Sequence, residues 1–249
     1  MRRLGLLLVF ATFLTSHPVQ AQAPADPPPP PPRLEGSAEV AFVATTGNSS
    51  TQSLGLAGDL TSRPAPWVYR VRGGYLRNET DSIETAESLF FLARASRSLS
   101  PRLQAYGQYD YLRNLFSGIE HRQALEGGLS LLALDTPAQR LRLDAGLGYA
   151  NEQRSTGDDL STAIASFGAG YKLRLSESAE FTDEGRMVLS LSDGADWRVE
   201  NVAALTARLT GVFALKVAHT VRYVNAPAAT FEKTDTITSV ALVAKFARP

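Results

Sequence analysis

From Gly36 to the carboxyl end, apolar residues recur at every second position. Between Arg140 and Tyr149, the side chains of Leu141, Leu143, Ala145, Leu147 and Tyr149 share one face. Arg140, Arg142, Asp144, Gly146 and Gly148 share the other. A period of two belongs to an extended strand, whereas a helix repeats at about 3.6. The same alternation sets Trp67, Tyr69, Val71 and Tyr75 against Arg70 and Arg72. It sets Leu125, Leu129 and Leu131 against Glu120, Arg122, Glu126 and Ser130. Ala163, Ala165, Phe167, Ala169, Tyr171 and Leu173 oppose Ser166, Gly168, Gly170, Lys172 and Arg174, and Trp197, Val199 and Leu205 oppose Arg198, Glu200, Thr206 and Arg208. Phe213, Leu215, Val217, Val221 and Tyr223 oppose Lys216, Thr220 and Arg222. Val240, Leu242, Ala244 and Phe246 close the series.

The pattern predicts about twelve strands, at 36–46, 51–62, 66–78, 85–98, 101–114, 119–133, 139–151, 160–175, 178–191, 196–209, 212–224 and 234–247. Many exceed ten residues, against about five or six in soluble proteins and about nine to eleven for a tilted membrane strand. Short turns such as Arg63-Pro64-Ala65-Pro66 and Asp135-Thr136-Pro137 alternate with more polar loops such as Asn114–Gly118, Asn151–Asp159 and Asn225–Lys233. Short turns at one end and longer loops at the other is the asymmetry of outer-membrane barrels.

Alternation alone also fits a soluble antiparallel sandwich with its apolar face inward. Three features favour the all-β, single antiparallel up-and-down transmembrane β-barrel. The polar face combines glycines with paired arginines and glutamates. Aromatics of apolar parity gather near strand ends: Trp67, Tyr75, Tyr111, Tyr149, Tyr171, Phe181, Trp197, Tyr223 and Phe246, as in interfacial girdles. No helical pattern is available to cover a sheet edge, and lipid tolerates no open edge.

The amino-terminal residues change the picture by implying export. Arg2 and Arg3 precede the apolar run Leu4–Leu14, followed by small residues at Ala21 and Ala23. This predicts a cleaved signal peptide over residues 1–23, its core being too short for the ~20-residue span of a membrane helix. Residues 24–35 contain the run Pro27–Pro32 and are expected to form a stiff polyproline linker. Residues 36–249 are the predicted barrel. Twenty-five basic residues balance 25 acidic ones, so there is no bulk field for nucleic acid. With no cysteine in the chain, a disulfide framework, a thiolate metal site and a lipoprotein anchor are excluded.

Two end motifs resemble a known family. They are Gly36-Ser37-Ala38-Glu39 with Thr46-Gly47-Asn48-Ser49-Ser50-Thr51-Gln52-Ser53, and Thr220-Val221-Arg222-Tyr223 with Glu232-Lys233-Thr234-Asp235-Thr236. Together they resemble the salt-induced outer-membrane protein family, with its YdiY-like domain of unknown function. The resemblance implies a Gram-negative outer-membrane β-barrel with no established activity and no catalytic residues to carry over. One departure is that Ala247-Arg248-Pro249 follow the final aromatic Phe246.

The expected function is an integral outer-membrane protein without enzymatic activity or cofactor, either a narrow channel or an envelope and osmotic-stress factor. Its expected partners are outer-membrane lipid and the barrel-assembly machinery. Residues of inward parity are the candidate lumen lining: Arg70, Arg72, Glu126, Arg140, Arg142, Asp144, Lys172, Arg174, Arg198, Glu200, Arg208 and Arg222. Barrels of about eight strands are filled by side chains and those of sixteen or more hold a water channel. At twelve strands, so many long arginines point to a narrow or occluded lumen.

Two alternatives remain open. One is an outer-membrane lipid hydrolase using His121 or His219, although the residues two positions on, Gln123 and Val221, are not nucleophiles. The other is a soluble periplasmic β-sandwich lipid carrier. Asp158, Asp159, Asp193 and Asp196 are hard-oxygen candidates for calcium, but without the spacing of a calcium loop they read as solvated loop acids.

Overall fold

A computed structural model describes residues 32–45, 51–80 and 83–248. The predicted signal peptide and residues 24–31 of the proline-rich linker lie outside the described residues, as does the loop at 46–50.

Twelve strands follow in chain order: β1 (Leu34–Thr45), β2 (Thr51–Ser62), β3 (Trp67–Thr80), β4 (Ile83–Ser98), β5 (Leu103–Asn114), β6 (Ile119–Asp135), β7 (Gln139–Arg154), β8 (Leu160–Arg174), β9 (Ala179–Ser190), β10 (Trp197–Arg208), β11 (Phe213–Val224) and β12 (Thr234–Arg248). Each pairs antiparallel with its sequence neighbours, and β12 returns to pair with β1 from Leu34↔Arg248 to Val40↔Leu242. The sheet is therefore closed and has no free edge. The first strand begins at Leu34, inside the segment expected to be linker. Ladder pairing continues further than local composition suggests at the β3–β4 and β6–β7 hairpins, where β3 reaches Thr80 and β7 reaches Arg154.

The exterior settles barrel against sandwich. Leu125 is 66% exposed, Leu147 65%, Val240 56% and Phe167 53%. Glu126, Ser130, Ser166, Gln108 and Arg122, of opposite parity, are buried. A soluble sandwich would reverse those senses, because exposing a continuous belt of large aliphatics to water opposes the main driving force for folding. The polarity is that of a transmembrane barrel, and the soluble carrier reading is corrected on this ground. Among the described residues, no helix is long and apolar enough to cross a membrane. Trp67, Phe213 and Phe246 stand at the short-turn ends of their strands. Trp197 and Tyr223 pack at 4.9 Å at the loop end.

The inner face is tightest between β6 and β7, where Gly128 pairs directly with Gly146. A Cβ on Gly128 would lie 2.1 Å from the Ala145 carbonyl oxygen and 2.7 Å from the Gly146 Cα. Both are backbone atoms that cannot swing aside. Gly128→Val is expected to stop the barrel closing, so that the unboiled protein no longer migrates faster than the boiled one on a denaturing gel. Gly107→Ala, with no atom within 4 Å of the added methyl, should keep that shift. Equal behaviour of the two would refute the packing argument.

Candidate functional site in the barrel lumen

Side chains of inward parity meet in ion pairs stacked along the lumen. Near the short turns, Arg140 lies 3.4 Å from Asp135, with both half exposed, and Lys172 lies 2.5 Å from Glu180. Arg208 donates to the Glu177 carbonyl, and Arg174 is exposed. These four sequence candidates therefore ring the rim rather than the constriction.

Deeper in, Arg70 Nη2 donates to Asp59 at 2.6 Å, and Arg72 Nη1 donates to Glu184 at 2.6 Å. Arg70 also approaches Glu184 at 3.6 Å. In the closed ring β3 and β9 are half the circumference apart, so the Arg72–Glu184 pair spans the lumen from wall to wall. Arg94 donates to both oxygens of Asp144, at 3.3 and 3.1 Å, and Arg142 donates to the same carboxylate at 3.1 Å. The Arg94 guanidinium lies 3.7 Å from the centre of the Tyr106 ring, a cation–π contact. Above them, Arg186 bridges Glu126 at 2.6 Å and Asp110 at 3.2 Å.

Towards the loop end, one carboxylate gathers three guanidiniums. Glu152 accepts from Arg198 at 2.6 Å and Arg154 at 2.8 Å, with Arg122 Nε at 3.4 Å. Its side chain is only 4% exposed. Arg198 also reaches Asp196 at 3.3 Å, and Arg222 donates to Glu200 at 2.6 Å. The low dielectric strengthens such pairs and makes any unpaired member costly.

The segment between β11 and β12 then crosses the mouth. Arg154 donates to the Ala226 carbonyl at 3.2 Å, and Thr156 donates to that of Ala229 at 2.8 Å. Ala228 is 4% exposed. A Cβ on Gly118 would fall 2.5 Å from the Phe231 ring. Gly118 follows a 3-10 turn, Leu115–Ser117, between β5 and β6, on the far side of the ring from β11 and β12. Ser117 donates to Asp235 at 2.5 Å, fixing the start of β12 to that turn. The charged run Glu232-Lys233-Thr234-Asp235 thus contributes an anchor as well as solvated charge.

Of the loop acids, Asp196 is buried against Arg198, Asp159 accepts from the Arg154 amide and Asp193 accepts from the Ala195 amide. Among the described residues, no group of three or more acids or histidines could hold a metal ion. Both histidines have outward parity. His121 adjoins Tyr111, Arg113 and Glu120 near the loop end, and His219 Nδ1 lies 2.9 Å from Thr238 Oγ1.

Sequence reasoning missed Asp59, Arg94, Tyr106, Asp110, Glu152, Arg154 and Arg186. For Arg186 the signal was present, since it shares parity with Glu184 along β9. On β4 the signal is weak, because Phe90 and Leu92 flank Arg94 on its own face.

Residues 38–246 match the family described as "Protein of unknown function, DUF481". The chain is 22% identical to the "Uncharacterized protein YdiY" of Escherichia coli strain K12, over 87% of this chain and 85% of that one. It is similar in structure to an outer membrane channel from Pseudomonas putida F1, with TM-score 0.50 and 10% identity, over 89% of this chain and all of the other. That likeness is one of fold. It is also similar to the NanC porin, with TM-score 0.46 and 10% identity, over 87% of this chain and 99% of the other.

Proposed function

Because the chain belongs to the DUF481 family, whose description assigns no activity, we propose its function from the barrel itself. It is an integral outer-membrane protein without enzymatic activity, exported through a cleaved signal peptide. Its lumen is constricted and passes small ions at most. Outer-membrane lipid surrounds the apolar belt, and the barrel-assembly machinery receives the chain through its final strand, where Phe246 faces outward.

The observation that carries the constricted reading is the Arg72–Glu184 pair, which joins opposite walls at 2.6 Å. A water-filled porin of sixteen or more strands leaves an open path along its axis. Here opposite charges close that path, and the loop between β11 and β12 covers the mouth above it. An occluded lumen of this kind suits a barrel that serves envelope integrity or admits ions only when the Arg72–Glu184 bridge parts.

The test is single-channel recording of the purified, heat-modifiable protein in planar bilayers in about 1 M KCl. Conductance far below that of an open porin is expected, or none. Steady porin-sized steps would overturn the constricted reading. Recovery of the intact protein in the soluble periplasmic fraction would overturn the location.

A further inference from the structure

From the lipid-facing surface of β9–β12 we infer that the barrel pairs with a second copy of itself through this face. The inference rests on the membrane-spanning reading. Between the two aromatic girdles the outward residues of the other strands are overwhelmingly aliphatic, aromatic or small. On these four strands they include Asp183, Asn201, His219 and Thr238. The ladder gathers them: Asp183 and His219 both pair across to Ala203, and His219 pairs with Thr238. They form one patch, with Gly185 and Ala203 among them.

Inside the patch the groups are partly satisfied. Asn201 Nδ2 donates to Asp183 Oδ1 at 2.5 Å, and His219 Nδ1 lies 2.9 Å from Thr238 Oγ1. Asp183 retains a second carboxylate oxygen, Asn201 its carbonyl and His219 its Nε2. Polar and ionisable groups are expensive against hydrocarbon, and they are found in membranes where something complementary covers them. Small residues let two backbones approach closely, and hydrogen bonds between side chains then hold the contact.

The chemistry selects the partner. Acceptors lie on the β9–β10 side of the patch and a ring nitrogen lies on the β11 side. A two-fold axis along the membrane normal, passing near Ala203, brings each copy's donor side onto the other's acceptor side. With Thr238 donating to Nδ1, the His219 Nε2–H donates to the partner's Asp183 or Asn201. Such an isologous contact needs no second protein, because one surface supplies both halves.

The chain has no cysteine, which makes the test direct. Ala203→Cys in the full-length protein, oxidised in native outer membranes, is expected to give a cross-linked band of twice the monomer mass. Leu129→Cys, outward on β6 and four strands away from β10, should stay monomeric. Adding His219→Leu to Ala203→Cys should reduce the cross-linked fraction several-fold while the heat-modifiable band remains. A monomeric Ala203→Cys that is folded and in the outer-membrane fraction would overturn the pairing and leave the barrel reading intact. So would a cross-link to a chain of different mass. Release of fatty acid from phosphatidylethanolamine vesicles, lost on His219→Leu, would also overturn it, by making the patch a lipid-reacting site.

Discussion

Glu152→Leu is expected to cost the barrel about 3–5 kcal/mol, the range for removing one partner of a buried ion pair. The Glu152 carboxylate is 4% exposed and faces Arg122, Arg154 and Arg198, whose side chains are 10%, 11% and 15% exposed. Removing it leaves three guanidiniums converging on an apolar side chain, with Asp196 reaching only Arg198. Their mutual repulsion adds to the lost hydrogen bonds. Breaking the Arg140–Asp135 pair by Arg140→Ala supplies the contrast. Those side chains are 51% and 47% exposed, so water screens them and the expected cost is about 0–1 kcal/mol. Reversible urea unfolding in lipid vesicles measures both. Equal midpoints for the two variants would mean that Glu152 does not organise the arginines around it.

The contrast between these two pairs also marks what could be read from the sequence. Parity assigns both Arg140 and Arg198 to the inner face, and the structure pairs them with Asp135 and Glu152. Depth along the barrel is a different quantity, and it depends on strand tilt and on the register of neighbours. Arg140 is the second residue of β7, so it stands at the rim. Arg198 is the second residue of β10, yet its side chain is only 15% exposed, held between the carboxylates of Glu152 and Asp196. Strand existence was legible because each strand repeats its alternation over many residues. Strand ends were less so, as at β3 and β7, where cross-strand hydrogen bonds carry polar residues into the ladder.

Which residue meets which across the lumen was not legible at all. The Arg72–Glu184 and Ser117–Asp235 contacts join positions more than a hundred residues apart. Only closure of the ring brings them together. The outward polar patch shows the same limit. Alternation assigns Asp183 and Asn201 to the apolar face one strand at a time, where each is an isolated exception. The pairing of β9 with β10 and of β10 with β11 turns the exceptions into one surface.

Opening the constriction is the second large effect. Glu184→Ala removes the acceptor of Arg72 at 2.6 Å and the neighbour of Arg70 at 3.6 Å. Asp59 remains, 2.6 Å from Arg70 and 3.2 Å from Arg72. One acid then faces two guanidiniums, so that level of the lumen carries a net positive charge. Charged rings in a pore set ion preference, and the variant should conduct several-fold more than the parent with a preference for anions. In the double variant Arg72→Ala, Glu184→Ala, Arg70 and Asp59 are left as a neutral pair on one wall and the bridge is gone. Conductance should rise at least as far, without the anion preference. The Arg94–Asp144 and Arg186–Glu126 pairs still narrow the lumen, so neither variant should reach the conductance of an open porin. Reversal potentials under a KCl gradient separate the two cases. If both variants keep the heat-modifiable band and conduct as the parent does, the seal lies elsewhere, and the loop over the mouth becomes the barrier to remove next.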